Sequence, residues 1–181
     1  MEFVQPIRDK QTIEKMKDVL KKSSYRDWFM FVLGINTGLR ISDILNLKVS
    51  DVKDKTHVAI REKKTNKEKR FKINASLQTV INDYIKLMDE DEYLFTSKKT
   101  GTALGRIQAY KILNEAANKV GITESIGTHT LRNTFGYFFY KQTKDVAMLQ
   151  QLFNHSSPSI TLRYIGINQD QMDSAMDEFS L

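Results

Sequence analysis

The residues with the clearest chemical potential lie in the segment GTHTLRNTFG, residues 127–136. His129 and Arg132 are three residues apart, so in a helix both side chains leave the same face. Gly136 follows Arg132 by four residues and shares that face. A glycine inside a helix costs about 1 kcal/mol relative to alanine, so we expect a bulky group to approach there. A permanent cation, a titratable ring and room beside them suit a phosphate; an ordinary amphipathic helix with a surface His and Arg is the alternative.

A second group of reactive side chains lies in NHSSPSITLRY, residues 154–164. It contains His155 and, nine residues later, Tyr164. A tyrosine hydroxyl is a candidate nucleophile, although its ordinary pKa of about 10 means that it needs help to lose its proton at neutral pH. Two simpler interpretations are open: Tyr164 as a core residue beside Ile165, and His155 as a cap of the preceding helix.

Two further motifs lie upstream. Residues 37–45 read TGLRISDIL and residues 64–70 read KTNKEKR. Together with His-x-x-Arg and the later His and Tyr, these four motifs, in this order and at these spacings, resemble the tyrosine recombinase (phage integrase) family over about residues 35–165. The family's first arginine motif is usually T-G-L-R-x-S-E-L, so Asp43 stands where the family has Glu.

The resemblance implies a fold and a reaction. The fold is α+β, a mainly helical catalytic domain with a small three-stranded antiparallel sheet. In the reaction, Tyr164 attacks a DNA phosphate, forms a 3′-phosphotyrosyl bond and frees a 5′-hydroxyl; religation to a partner strand reverses the step. Arg40 and Arg132 would hold the phosphate, because guanidinium binds it bidentately and stays charged. His129 would manage the tyrosine proton, and His155 would hydrogen-bond the scissile phosphate.

The basic hairpin motif supplies the remaining role. By resemblance, Lys64 would protonate the 5′-oxygen, and Lys67 is its rival on the same loop. Asp43 would orient the active-site cations without contacting the phosphate itself. Contacts to the DNA backbone are expected from Lys63, Lys67, Arg70, Lys98 and Lys99.

Composition agrees with a nucleic-acid partner. The 181 residues carry a net charge of +6, with a pI near 9.4. Residues 168–181 contribute −4, which leaves +10 for the rest of the chain, and a strongly basic protein favours a polyanion. We therefore expect double-stranded DNA as partner, no metal, no cofactor and no membrane association. The absence of cysteine fits the cytoplasm of a prokaryotic cell. We expect the gene to be carried by the cell or by a phage or other mobile element, and the protein to associate with the nucleoid.

Periodicity predicts one domain over residues 1–181. Helices are expected at 9–22, 26–36, 42–47, 77–88, 107–120 and 146–153, and strands at 57–61, 70–73 and 93–95. The helix at 26–36 is apolar nearly all round and should be the buried centre. Family members usually carry a separate N-terminal helical domain that clamps DNA. Only about 35 residues precede the first motif here, so we expect that domain to be absent from this sequence.

Three functions are compatible with the motifs. The first is a site-specific recombinase or integrase that self-associates on DNA, as a tetrameric synapse. The second is a nicking and closing enzyme like type IB topoisomerases, and the third is a DNA-binding module without catalysis. Residues 168–181 form a tail with one apolar stripe, made of Met172, Ala175, Met176 and Phe179. Packing of this stripe on a neighbouring molecule and packing on its own domain are both open.

Overall fold

The computed structural model describes residues 4–61, 68–124, 126–127, 129–167 and 169–180, the side chains of 169–171 excepted. The described helices, in chain order, are α1 (Lys10–Ser23), α2 (Tyr25–Thr37), α3 (Ile41–Leu45), α4 (Ala75–Ile85), α5 (Arg106–Lys119), α6 (Thr130–Thr143), α7 (Val146–Phe153), α8 (Pro158–Tyr164) and α9 (Gln169–Asp177). The strands are β1 (His57–Arg61) and β2 (Glu68–Lys72), and a single 3₁₀ turn covers Val49–Asp51. None of the described helices is long and apolar enough to cross a bilayer.

Helix α2 is the buried centre that its apolar sequence predicts. Phe29, Met30, Phe31 and Leu33 are 0% exposed. A Cβ on Gly34 would lie 2.5 Å from Cδ1 of Leu131, so the glycine lets α6 pack directly against α2. This close approach brings the first turn of α6 beside the loop that follows α2.

The sheet has two strands rather than the expected three. β1 and β2 pair antiparallel, from His57 opposite Lys72 to Arg61 opposite Glu68. The segment 93–95 is not a third strand of this sheet, because Tyr93 pairs with Lys48 in an isolated antiparallel bridge rather than with β1 or β2. The Leu94 N–H donates to the Leu47 carbonyl at 2.9 Å, and the Leu94 carbonyl accepts from the Tyr84 hydroxyl at 2.6 Å. The expected helix at 42–47 is shorter, ending at Leu45. Lys63, Lys64 and Lys67, between β1 and β2 in the sequence, lie outside the described residues.

The chain turns sharply between α7 and α8. Asn154 takes the left-handed conformation with φ 55° and ψ 45°, a conformation that Asn tolerates better than most residues. The His155 N–H then closes α7 by donating to the Gln150 carbonyl at 3.0 Å. Ser157 caps α8 through Ile160 N–H, and Pro158 occupies its first turn. These local signals hold His155 at the junction of the two helices.

Candidate active site

Arg132 connects three parts of the chain. Its side chain leaves the first turn of α6 and is 3% exposed. Nη1 donates to the Gly38 carbonyl, and Nη2 donates to the Phe153 carbonyl at 3.0 Å. The guanidinium carbon also lies 4.0 Å from the centre of the Phe153 ring. Arg132 therefore fixes the loop after α2 and the end of α7 against α6, and its charge sits where those elements meet.

The Tyr164 hydroxyl lies beside the residues expected to act with it. Its oxygen is 3.0 Å from Nδ1 of His129. Burial raises the pKa of Tyr164, while the charge of Arg132, the nearby charge of Arg40 and a hydrogen bond from Arg132 act in the opposite direction. The half-buried Tyr164 packs against the small core cluster that contains Phe153 and Ile165, and its hydroxyl lies beside His129.

His129 occupies the N-cap position of α6, directly before Thr130. Burial lowers its pKa, helped by the charges of Arg132, Arg40 and Arg106. A ring with a lowered pKa is neutral at pH 7 and has a nitrogen able to accept a proton. Nδ1 of this ring is the atom that lies 3.0 Å from the Tyr164 hydroxyl oxygen.

His155 lies on the other side of Tyr164, with the two ring centres 5.0 Å apart. Burial lowers the pKa of His155 to about 4, helped by Arg132, Arg40 and Lys69. Its Nδ1 is 3.0 Å from Oγ1 of Thr161. The backbone N–H of His155, rather than its ring, closes the end of α7. The ring itself lies within the site.

Arg40 and Asp43 flank the start of α3. Arg40 is the exposed N-cap residue, and its charge acts on His129, His155 and Tyr164 alike. Asp43 follows in the first turn and is half-buried. The structure therefore brings Arg40, His129, Arg132, His155 and Tyr164 together from three separate segments, 37–45, 127–136 and 154–164.

The space expected beside Gly136 is occupied by the protein itself. A Cβ on Gly136 would lie 2.7 Å from Cγ2 of Ile165 and 2.8 Å from Cε2 of Phe153. A bulky group does approach, as predicted, but the expectation of room for a phosphate there was wrong. The glycine is needed because α7 and the chain after Tyr164 pack onto this face of α6.

Two cations near the site were not assigned to it from the sequence. Nζ of Lys69, on β2, lies 3.4 Å from the Leu152 carbonyl and contributes to the lowered pKa of His155. Arg106 begins α5 and contributes to the lowered pKa of His129. Lys69 belongs to the hairpin motif, but Arg106 lies outside all four motifs, so no sequence pattern pointed to it. The expected backbone contacts Arg70, Lys98 and Lys99 are exposed.

The pattern that defines the phage integrase family matches residues 7–171. The chain belongs to the phage integrase family. Within it, the chain is 52% identical over 179 residues to the probable integrase/recombinase YoeC of Bacillus subtilis, covering 99% of this chain and 98% of YoeC. It is 29% identical over 175 residues to the tyrosine recombinase XerA of Pyrococcus furiosus, covering 94% of this chain and 60% of XerA.

Solved structures share the fold. A crystal structure of XerA recombinase superposes with a TM-score of 0.78 at 20% identity, covering 96% of this chain and 64% of that one. XerH bound to a palindromic difH substrate, in a post-cleavage complex, gives a TM-score of 0.71 at 20% identity, covering 97% of this chain and 53% of that one. The chain thus has the catalytic-domain fold of tyrosine recombinases, the enzymes that cleave and rejoin DNA strands, and spans less than two thirds of these two structures.

Proposed function

We propose that this chain is a site-specific DNA recombinase in which Tyr164 is the nucleophile. Tyr164 attacks a DNA phosphodiester, the bond from phosphorus to the 5′-oxygen breaks, and a 3′-phosphotyrosyl link remains. The observation that carries the proposal is the 3.0 Å approach of the Tyr164 hydroxyl to Nδ1 of His129. A hydroxyl within hydrogen-bond reach of an oriented base is the usual arrangement for an activated nucleophile.

His129 and Arg132 together activate that hydroxyl. Burial raises the pKa of Tyr164, so the free phenolate is scarce at pH 7 and a base must take the proton as the attack proceeds. The neutral ring of His129 serves as that base. The positive charge of Arg132, which acts to lower the pKa of the same hydroxyl, stabilises the charge that develops on oxygen.

Fixed cations stabilise the pentavalent phosphate. Arg132 has five N–H donors, and the carbonyls of Gly38 and Phe153 hold its guanidinium in one orientation. Such a preorganised donor stabilises a transition state without rearranging during the reaction. Arg40, at the start of α3, also binds the phosphate. Asp43 positions Arg40 without contacting the phosphate itself. His155 donates a hydrogen bond to a non-bridging phosphate oxygen.

The leaving 5′-oxygen needs a proton, which we assign to Lys64, with Lys67 as the rival. Both belong to the segment that joins β1 to β2. Lys69 lies near the end of α7, beside His155, so the strand leading out of that segment passes the site. This placement supports a hairpin lysine as the acid.

DNA binds through the exposed cations around the site. Lys63, Lys67, Arg70, Lys98 and Lys99 are proposed to contact phosphates. The exposed first turn of α5, which begins with Arg106, extends this surface from the side of His129. Because phosphate contacts dominate such binding, affinity falls steeply with salt concentration.

Recombination requires several copies on DNA, and we propose a tetrameric synapse joined through the tail. Met172, Met176 and Phe179 are 43%, 68% and 61% exposed, so their stripe is open to a neighbour. The net charge of −4 on residues 168–181, against +10 elsewhere, favours a basic surface on the adjacent copy.

Covalent trapping on nicked suicide DNA tests the nucleophile. The wild-type chain should become linked to a 3′-phosphate, and Tyr164→Phe should form no adduct. Tyr140→Phe is the matched control, since Tyr140 is a half-buried tyrosine on α6, and should form the adduct normally. An adduct with Tyr164→Phe would overturn the assignment. Recombinant products identify a recombinase, relaxed plasmid alone a topoisomerase-like enzyme, and binding without any adduct a DNA-binding module.

A further inference from the structure

Thr161 is a completely buried residue whose hydroxyl has no part in the mechanism above. It lies on α8, three residues before Tyr164, and is 0% exposed. Its Oγ1 is 3.0 Å from Nδ1 of His155 and 3.3 Å from the Ser157 carbonyl oxygen. The hydroxyl therefore lies within hydrogen-bond distance of both the backbone of its own helix and the ring of His155.

A hydroxyl has one proton, so these two contacts allow two arrangements. If the proton points to the Ser157 carbonyl, Oγ1 accepts from an Nδ1–H of His155. If it points to Nδ1, the ring nitrogen accepts and the ring proton is on Nε2. The contact with His155 is the shorter, and the Ser157 carbonyl already accepts the Thr161 backbone N–H.

The chemistry of the phosphate separates the two arrangements. Burial, Arg132, Arg40 and Lys69 keep the pKa of His155 at about 4, so the ring carries a single N–H proton at pH 7. Phosphate oxygens only accept hydrogen bonds. A proton on Nδ1 would turn the lone pair of Nε2 toward the phosphate, whereas a proton on Nε2 supplies a donor.

We propose that Thr161 is a positioning residue that fixes the tautomer of His155. Its hydroxyl donates to Nδ1, and this keeps the ring proton on Nε2, where it reaches the scissile phosphate. Because Thr161 and Tyr164 lie on the same short helix, α8 places the nucleophile and orients a phosphate ligand at once. The role at the phosphate rests on the proposed function, but the tautomer is a property of the free protein.

Nitrogen-15 NMR of the free wild-type chain at pH 7 tests the tautomer. The His155 signals are those that disappear in His155→Gln. They should show a protonated Nε2 and an unprotonated Nδ1, and Thr161→Val, which keeps the shape and removes the hydroxyl, should shift them toward a mixture. A protonated Nδ1 in the wild type, or an unchanged tautomer in Thr161→Val, would overturn the proposal.

Cleavage kinetics test the consequence. Thr161→Val should cleave about tenfold more slowly, the effect of one weakened hydrogen bond to a charged group, and Thr161→Ser should restore the rate. Thr161→Val should add nothing in a His155→Ala background, since the residue acts through His155. An equal loss in both backgrounds would mean that Thr161 only supports α8. If wild-type Tyr164 forms no adduct, the proposed function fails, and the NMR spectra still decide the role of Thr161.

Discussion

Gly136→Ala adds one methyl group where the structure has no space. The new Cβ would lie 2.7 Å from Cγ2 of Ile165 and 2.8 and 2.9 Å from two ring carbons of Phe153. Both neighbours are 0% exposed, so neither can swing into solvent. Phe153 supports the Arg132 guanidinium, and Ile165 directly follows Tyr164. The substitution therefore presses on the proposed nucleophile and on a proposed phosphate ligand without changing either.

The expected effect on stability is small and the effect on activity is large. Alanine gains about 1 kcal/mol over glycine in a helix, and overpacking a core costs about 1–3 kcal/mol, so the net loss is about 0–2 kcal/mol. To reach an ordinary contact of 3.4 Å, Ile165 must retreat by about 0.7 Å. A displacement of about 1 Å in an active site can lower a rate about 100-fold. Cleavage should thus fall by one to two orders of magnitude in a chain that still folds.

The measurement is the rate of phosphotyrosyl formation on suicide DNA, together with the free energy of unfolding in urea. Gly105→Ala is the matched control, because a Cβ there meets nothing within 4 Å and the residue has a φ of −76°. The control should cleave at close to the wild-type rate, with at most about 1 kcal/mol lost from the cap of α5. A wild-type cleavage rate in Gly136→Ala would refute the claim that this packing positions the site.

Three further outcomes are expected. The His155 pKa of about 4 is below its ordinary 6.5, so the unfolded chain binds the proton first as the pH falls. The free energy of unfolding should therefore decrease from pH 7 to pH 4. Urea titrations should show a smaller decrease in His155→Gln, and an equal decrease would contradict the lowered pKa of His155. A 5′-bridging phosphorothiolate needs no acid to release its leaving group, so Lys64→Ala should regain cleavage on that substrate. Rescue of Lys67→Ala instead would assign the role of general acid to Lys67. Lys69→Ala should show no rescue. Deleting residues 168–181 should leave single-strand cleavage intact and reduce assembly in gel-shift experiments; an unfolded monomer or unchanged assembly would refute docking between molecules.

The sequence predicted the parts whose causes are local. Helix α2 follows from an apolar segment, and α7 ends at Asn154 because few residues adopt a left-handed conformation easily. The approach of His129 to Tyr164 was expected only through the family resemblance. Their spacing in the chain gives no distance, because it depends on how α6 and α8 pack.

The remaining features depend on tertiary contacts that no local pattern shows. The neighbours of Gly136 come from α7 and from the chain after Tyr164, so the sequence could indicate a close approach but not its source. The expected strand at 93–95 is reduced to an isolated bridge between Tyr93 and Lys48, which come from segments far apart in the sequence. Helix α8 is only seven residues long, too short for a periodic pattern, and so the contact of Thr161 was not foreseen.

The carbonyl contacts of Arg132 make the proposed active site depend on the complete tertiary fold. Gly38 and Phe153 belong to distant parts of the chain, and the Arg132 guanidinium donates to the backbone carbonyl of both. A partly unfolded chain would keep the basic residues that bind phosphates, but the proposed nucleophile Tyr164 would have neither His129 nor Arg132 beside it. We therefore expect partial unfolding to abolish strand cleavage before it abolishes DNA binding.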